Sequence, residues 1–358
     1  MVTPEFNTEY KRLRGLIEKR LDDFFESEKF TSVGLGPEAL ESLNLAHEYA
    51  KRDGKRVRPI LVVKGYELAG GKDEKRIIDA SIYSELLHIY LLYHDDIMDR
   101  DDIRRGGPTA HAWYQQNKFK DLPVEEAKHH SQSMAIIDGD ILEALAQKAL
   151  LESNFPADSK INAWKEYIHT IINTGFGQKK DVLSDVFDVT EEHIWDVYKL
   201  KSAEYTISRP LRTGAILAGA ESPELLETII RYGDKAGVAF QLIDDEKGVK
   251  DPSELKKAKN DISEGKRTII LLKAMKKASP EQKEILRRNL GEKFIPEAEL
   301  SKVLNVLTET GALAYNRKLA EEASKESQKI AVKELSKYNE KTAIFLKDFA
   351  DYLVNRDR

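Results

Sequence analysis

Apolar residues return along this chain at three- and four-residue steps, and strand-like alternation is nearly absent. Ala39-Leu40, Leu43, Leu45-Ala46 and Tyr49-Ala50 trace one stripe. Ile161, Trp164, Ile168 and Ile171-Ile172 trace a second, and Val303, Val306 and Leu307 a third. The stretch from Ile82 to Tyr93 is largely apolar, which predicts a core helix. Ser222-Pro223-Glu224 and Ser279-Pro280-Glu281-Gln282 each place a hydroxyl at an N-cap and proline at the first helical position, and Gln282 completes a capping box with Ser279. Gly34 to Pro37, Lys118 to Pro123 and Ser153 to Pro156 read as loops. The pattern predicts ten or more helices.

No repeat, low-complexity tract or Gly/Ser linker divides the sequence, so one all-α domain over residues 1–358 is expected. About residues 1–30 are expected to form a peripheral N-terminal helix, about 50–270 the central core, and about 291–358 amphipathic helices that cover it. Charge runs in that last region, such as Glu321-Glu322 and Lys325-Glu326, read as solvated faces.

Composition narrows the chemistry by exclusion. The chain is 33% charged and 41% hydrophobic with a formal net charge of −5, and its Lys and Arg are spread out, so no nucleic-acid surface is expected. It has no cysteine, which excludes disulfides, iron–sulfur clusters and thiolate zinc sites. Its first residues hold no apolar signal core, and no apolar run reaches the roughly 18–20 residues of a membrane span. A cytoplasmic protein without a transmembrane segment is expected.

Two acidic clusters carry the functional signal. The first is His94-Asp95-Asp96-Ile97-Met98-Asp99, followed by Arg104-Arg105-Gly106. Residues four apart on a helix are separated by about 40° around the axis and about 6 Å along it. Asp95 and Asp99 therefore project from one face, with Asp96 beside them. Carboxylates so placed repel one another unless cations intervene. Oxygen-only ligation suits a hard cation such as Mg²⁺, which shares ligands with phosphate oxygens. An isolated DDxxD also fits a solvated helix end, but this one ends an apolar helix and is followed by two arginines, whose forks suit diphosphate.

The second cluster, Phe240-Gln241-Leu242-Ile243-Asp244-Asp245, again ends an apolar helix in paired carboxylates. Two basic elements accompany the clusters: Gly54-Lys55-Arg56-Val57-Arg58-Pro59, and Asp261-Ile262-Ser263-Glu264-Gly265-Lys266-Arg267-Thr268.

With Glu85-Leu86-Leu87-His88, Asp138-Gly139-Asp140, Gly177-Gln178-Lys179-Lys180-Asp181 and Lys201-Ser202, these elements resemble, in order, the trans-isoprenyl diphosphate synthases. That family includes the farnesyl and geranylgeranyl diphosphate synthases, and the chain is most similar to the archaeal-type geranylgeranyl enzymes. The resemblance implies an isoprenoid-synthase helical bundle around a deep central cavity, usually a homodimer. It implies head-to-tail prenyl transfer from an allylic diphosphate (dimethylallyl, geranyl or farnesyl) to isopentenyl diphosphate, with Mg²⁺ bridging the aspartate clusters. Asp95, Asp96, Asp99 and Asp244 would hold metal. Arg104, Lys201 and Lys266 would grip the allylic diphosphate, and Lys55, Arg58, His88 and Arg105 the isopentenyl diphosphate. Ser202 and Gln241 would present oxygens toward the cation.

The sequence departs from the family pattern at a few places. Gly248 stands where many members have a third aspartate, Glu246 and Lys247 replace apolar residues, and Ser202 replaces threonine. Lys256-Lys257-Ala258-Lys259 lacks the usual glycine–lysine pair, so the resemblance gives Lys257 no firm phosphate role. For product length, helix geometry places Leu91 most nearly beneath Asp95, while the family comparison stresses Tyr90. The aromatic Tyr90 followed by a smaller residue resembles the archaeal geranylgeranyl enzymes, and that resemblance implies a twenty-carbon product, with fifteen carbons as the alternative. A terpene cyclase would lack Lys55, Arg58 and Arg105. A non-catalytic subunit of a heteromeric synthase would have lost one aspartate cluster.

Overall fold

The computed structural model describes residues 2–184, 187–250, 261–292 and 295–355. Lys256 to Lys259, Lys257 included, lie outside the described residues. The expected all-helical architecture holds, with more than ten helices among the described residues. They are α1 (Pro4–Thr31), α2 (Pro37–Lys51), α3 (Val57–Leu68), α4 (Glu74–Ser81), α5 (Tyr83–Met98), α6 (Ala110–Asn117), α7 (Val124–Leu151) and α8 (Ala157–Ser184). Then come α9 (Glu191–Val197), α10 (Arg209–Leu217), α11 (Pro223–Lys250), α12 (Ile269–Lys277), α13 (Pro280–Asn289), α14 (Glu297–Glu309), α15 (Ala312–Lys333) and α16 (Glu340–Asn355). A π-helical segment, Tyr198–Ser208, joins α9 to α10.

The start signals work as written. Ser279 Oγ accepts from the Gln282 N–H at 3.2 Å, and the Gln282 side chain accepts from the Ser279 N–H at 3.0 Å. At α11, Ser222 Oγ accepts from the Leu225 N–H at 3.3 Å.

Backbone contacts group the chain into two compact units. The N-terminal unit comprises Asn7–Lys165 and Thr213–Ala220. Here α1 buries Leu13, Ile17, Leu21 and Phe25 at three- and four-residue spacing, and α5 buries Leu86, Leu87, Ile89 and Tyr93. Against α5 lies α7, whose buried positions Ala127, Ser131, Ala135, Asp138, Gly139 and Leu142 are mostly small. Small side chains let the two helix backbones approach, so polar residues on α5 can meet α7 directly.

The C-terminal unit comprises Met1–Phe6, Glu166–Arg212 and Glu221–Arg358. Its centre is α11, packed on the π-helical segment and on α15, with α15 in turn against α16. Asn316 on α15 donates to the Leu242 carbonyl at 2.7 Å, and Tyr232 on α11 donates to the Leu346 carbonyl at 2.6 Å. Position 233 of α11 meets Ser208 and position 237 meets Ala203, both through glycine. Four residues on, Gln241 meets Ser202, and after another four Asp245 meets Tyr198. One four-residue stripe thus changes from close backbone packing to polar contacts as α11 reaches its acidic end.

Candidate active site

In the N-terminal unit, the first acidic cluster ends α5. Asp95 and Asp99 lie one turn apart, with the Asp99 N–H donating to the Asp95 carbonyl at 2.8 Å. Asp96 does not join them. The 100° step between successive helical residues sets it on a different face, which packing against Tyr49 and the Arg104 hairpin buries completely. Tyr49 Oη donates to its Oδ2 at 3.0 Å, and Arg104 Nε donates to its Oδ1. Burial pushes the Asp96 carboxyl up to about 6, against the opposing pull of Arg104 and Tyr49.

Arg104 and Arg105 reach this cluster on a short hairpin. Strand β1 (Ile103–Arg104) pairs antiparallel with β2 (Gly107–Pro108). The linking residues Arg105 and Gly106 have φ of 51° and 76°, as a type I′ turn requires at both central positions. Glycine takes that conformation freely, whereas arginine is strained there. Arg56, at φ 50°, carries the same strain. Arg52 holds the hairpin by donating to the carbonyls of Arg104 (3.1 Å) and Pro108 (2.8 Å).

The strained arginines belong to one cationic cluster. Arg56 Nη1 donates to Glu85 Oε1 at 2.6 Å, with side-chain exposures of only 1% and 2%. Arg105 Nη1 lies 4.0 Å from the same carboxylate. Arg105 Nη2 donates to His88 Nε2 at 3.3 Å, which assigns the ring proton to Nδ1. Burial, together with the charges of Arg58, Arg105, Arg104 and Arg56, holds His88 well below the ordinary histidine range. Burial also lowers Arg105, against the pull of Glu85. Lys55 and Arg58 are half-buried at the start of α3, and Tyr10 Oη fixes the Lys55 carbonyl at 2.6 Å. One carboxylate and a neutral imidazole among several guanidinium groups leave a net cationic patch suited to a polyanion. Tyr90 and Leu91 are half-buried one turn before Asp95.

The C-terminal unit gathers the other elements. Lys201 and Ser202 lie in the π-helical segment, a wide-turn form often found at functional sites. Lys201 Nζ donates to Asp181 Oδ2 at 2.5 Å. Ser202 Oγ donates to Gln241 Oε1 at 2.6 Å, and Gln241 Nε2 donates to Asp245 Oδ1 at 2.7 Å. The Tyr198 hydroxyl donates to Asp245 and accepts from the Ile269 N–H at 3.2 Å. Lys266 Nζ lies 2.8 Å from Glu264 and 3.9 Å from Asp261.

Carboxylates crowd here as well. Burial, aided by the charges of Asp261 and Asp244, pushes Asp245 up to about 8. Burial raises Asp261 to about 6; Lys266 opposes this, while Glu264, Asp244 and Asp181 add to it. A divalent cation relieves such repulsion between oxygen donors. Among the described residues, no three acidic or histidine side chains already converge as a metal cage. The donor chemistry nonetheless fits Mg²⁺, because every candidate ligand is a carboxylate. Spacing in the sequence does not single out Tyr49, Tyr198, Asp181 or Asp261. For the last two, the available signal is their place inside the matched elements Gly177–Asp181 and Asp261–Thr268.

A family model described as polyprenyl synthetase matches residues 41–307. The chain is 32% identical over 311 residues to a geranylgeranyl diphosphate synthase of Sulfolobus acidocaldarius, covering 85% of this chain and 87% of that one. It is 31% identical over 293 residues to a geranylfarnesyl diphosphate synthase of Aeropyrum pernix, covering 79% and 84%. Its fold is similar to a crystal structure of geranylgeranyl pyrophosphate synthase from Corynebacterium glutamicum, complexed with isoprenyl diphosphate and magnesium. That match has a TM-score of 0.88 and 26% identity over 97% of this chain and 99% of the other.

Proposed function

We propose, on the premise that this chain belongs to the polyprenyl synthetase family, that it condenses isopentenyl diphosphate with allylic diphosphates to make geranylgeranyl diphosphate. The observation that carries this is the cationic cluster at His88, where Arg105 Nη2 donates to the ring at 3.3 Å, Arg56 and Arg105 share Glu85, and burial and the arginine charges keep the imidazole neutral. Such a patch binds a diphosphate through hydrogen bonds and fixed charge without requiring a metal of its own.

Each unit supplies named roles. In the N-terminal unit, Lys55, Arg58, His88 and Arg105 bind isopentenyl diphosphate, with His88 donating from Nδ1 as a neutral ring. Asp95 and Asp99 hold Mg²⁺, with Asp96 as a candidate third ligand once released from Arg104. Arg104 contacts the allylic diphosphate. In the C-terminal unit, Asp244 holds Mg²⁺, and Lys201 and Lys266 bind the allylic diphosphate. Bound Mg²⁺ supplies positive charge against the diphosphate as it departs.

The reaction breaks the allylic C–O bond, and its electron pair leaves with diphosphate. Arg104, Lys201 and Lys266 stabilise the charge developing on that group. The double bond of isopentenyl diphosphate attacks the allylic cation and forms the new C–C bond. A proton then passes to the released diphosphate, and an alkene is regenerated. Ser202 directs its proton to Gln241, so its oxygen lone pairs are available to the cation.

Two further parts of the proposal concern assembly and location. On α7, Ile136, Ile137 and Ile141 are exposed, a face we assign to a second copy in a homodimer. Among the described residues no helix is long and apolar enough to cross a membrane, and the location we propose is the cytoplasm. The deciding experiment supplies purified chain with Mg²⁺, labelled isopentenyl diphosphate and each primer: dimethylallyl, geranyl and farnesyl diphosphate. A twenty-carbon diphosphate is expected. No elongation would point to a non-catalytic subunit, and cyclic hydrocarbon to a cyclase.

A further inference from the structure

The Asp138-Gly139-Asp140 element has no role in the chemistry above, yet it faces α5 one residue before the first aspartate. His94 Nε2 donates to the Ile136 carbonyl on α7 at 3.1 Å. Its ring lies over Gly139, where a Cβ would fall 2.3 Å from Nε2. Any side chain at 139 would therefore push the imidazole off α7. Asp138 stiffens this contact from within α7, accepting from Tyr114 Oη at 2.7 Å while buried. On its other side, the His94 ring meets Tyr90 edge-on, with centroids 5.0 Å apart and planes at 72°. Tyr90 and His94 are four apart on α5, so they stack along one face. Tyr90 cannot swing toward His94 without displacing a ring that is hydrogen-bonded to the neighbouring helix.

We propose that His94 is a positioning residue for product length: lodged over Gly139 and tied to the Ile136 carbonyl, it holds the Tyr90 ring in the orientation that stops chain growth. The inference rests on the proposed function, because it assigns a structural cause to the floor of that same site. His94 acts through Tyr90 and not on the reacting atoms. Gly139 is part of the device, because it alone gives the imidazole room.

The test compares product lengths from farnesyl diphosphate and isopentenyl diphosphate in wild type, His94→Ala, Gly139→Ala, Tyr90→Ala and the double variant His94→Ala/Tyr90→Ala. His94→Ala should raise the share of products beyond twenty carbons roughly tenfold, the scale on which pocket walls discriminate. The double variant should match Tyr90→Ala alone, because His94 has nothing left to hold. His94→Gln, which keeps a donor for the Ile136 carbonyl, should restore much of the wild-type distribution. A turnover loss in His94→Ala with an unchanged product profile would overturn the proposal, as would additive effects in the double variant. Should Gly139→Ala fail to fold, 3-fluorotyrosine at position 90 reads the contact without turnover. Its ¹⁹F line should shift in His94→Ala, and an unmoved line would also overturn the proposal. If wild type elongates no primer, the proposed function falls and this role with it. A working enzyme with unchanged profiles overturns this role alone.

Discussion

The Asp261 carboxylate occupies the space that a side chain at position 248 would need: a Cβ on Gly248 would fall 2.1 Å from Asp261 Oδ2. The glycine at the end of α11 therefore does more than leave a family position empty. It admits a carboxylate from a later segment to the acidic end of α11, close enough for Asp244 to raise its pKa. Restoring the third aspartate should harm the site. Gly248→Asp is expected to displace Asp261, lower turnover and raise the Mg²⁺ concentration needed for half-maximal rate. Gly248→Ala should destabilise the fold by about 1–3 kcal/mol through overpacking. Thermal unfolding and Mg²⁺ titration check both, and tighter Mg²⁺ dependence in Gly248→Asp would sink the idea.

Asp95 and Asp96 are neighbours in sequence and opposites in environment, so their asparagine variants should fail differently. Asp95→Asn should lower turnover by roughly 10²–10³-fold with little change in melting temperature. Asp96→Asn weakens the acceptor that Tyr49 and Arg104 share in a buried position, and should cost roughly 1–3 kcal/mol of stability through those hydrogen bonds. Paired kinetics and denaturant melts distinguish the two. Near wild-type turnover in Asp95→Asn would count against its metal role.

Much of this contrast lies beyond sequence spacing. Helices and their starts are legible because each is a local pattern: Ser279 and Gln282 are three residues apart and need no distant partner. Spacing also puts Asp95 and Asp99 on one face. The direction of Asp96 depends on Tyr49, 47 residues earlier, and on a hairpin that delivers Arg104. The positive φ values at Arg56 and Arg105 are equally hidden, because arginine carries no local preference for that conformation. Lys201 and Ser202 are recognisable by resemblance, but the π-helical segment that carries them, packed on α11, has no local spacing that announces it. Asp261 illustrates the limit most sharply, because its place depends on an absent side chain at Gly248.

Tyr90 and Leu91 make competing claims to the cavity floor. Helix geometry favours Leu91, whereas the edge contact with His94 favours Tyr90. Tyr90→Ala should lengthen the product, and Leu91→Ala should do so less. Chromatography of the dephosphorylated alcohols reads both. An unchanged distribution in Tyr90→Ala would remove Tyr90 from the floor, and a larger shift in Leu91→Ala would transfer the role to Leu91.

Acid stability should depend on an ion pair remote from the chemistry. Lys64 on α3 has a side chain only 2% exposed, and its Nζ lies 2.7 Å from Glu9 on α1 and 2.9 Å from Glu67. Burial alone would raise the Glu9 carboxyl; hydrogen bonds from Arg12 and Lys64 outweigh it and hold the group at about 2, against an ordinary 4.5. A carboxyl that is more acidic in the folded state stabilises the fold fully above its unfolded value and loses that contribution as pH falls toward its folded value. Glu9→Gln should therefore cost roughly 2 kcal/mol at neutral pH. Its deficit relative to wild type should shrink between pH 4.5 and about 2. Urea unfolding of both proteins across that range provides the measurement. A deficit that stays constant as pH falls would show that Glu9 acts through packing, not through its charge.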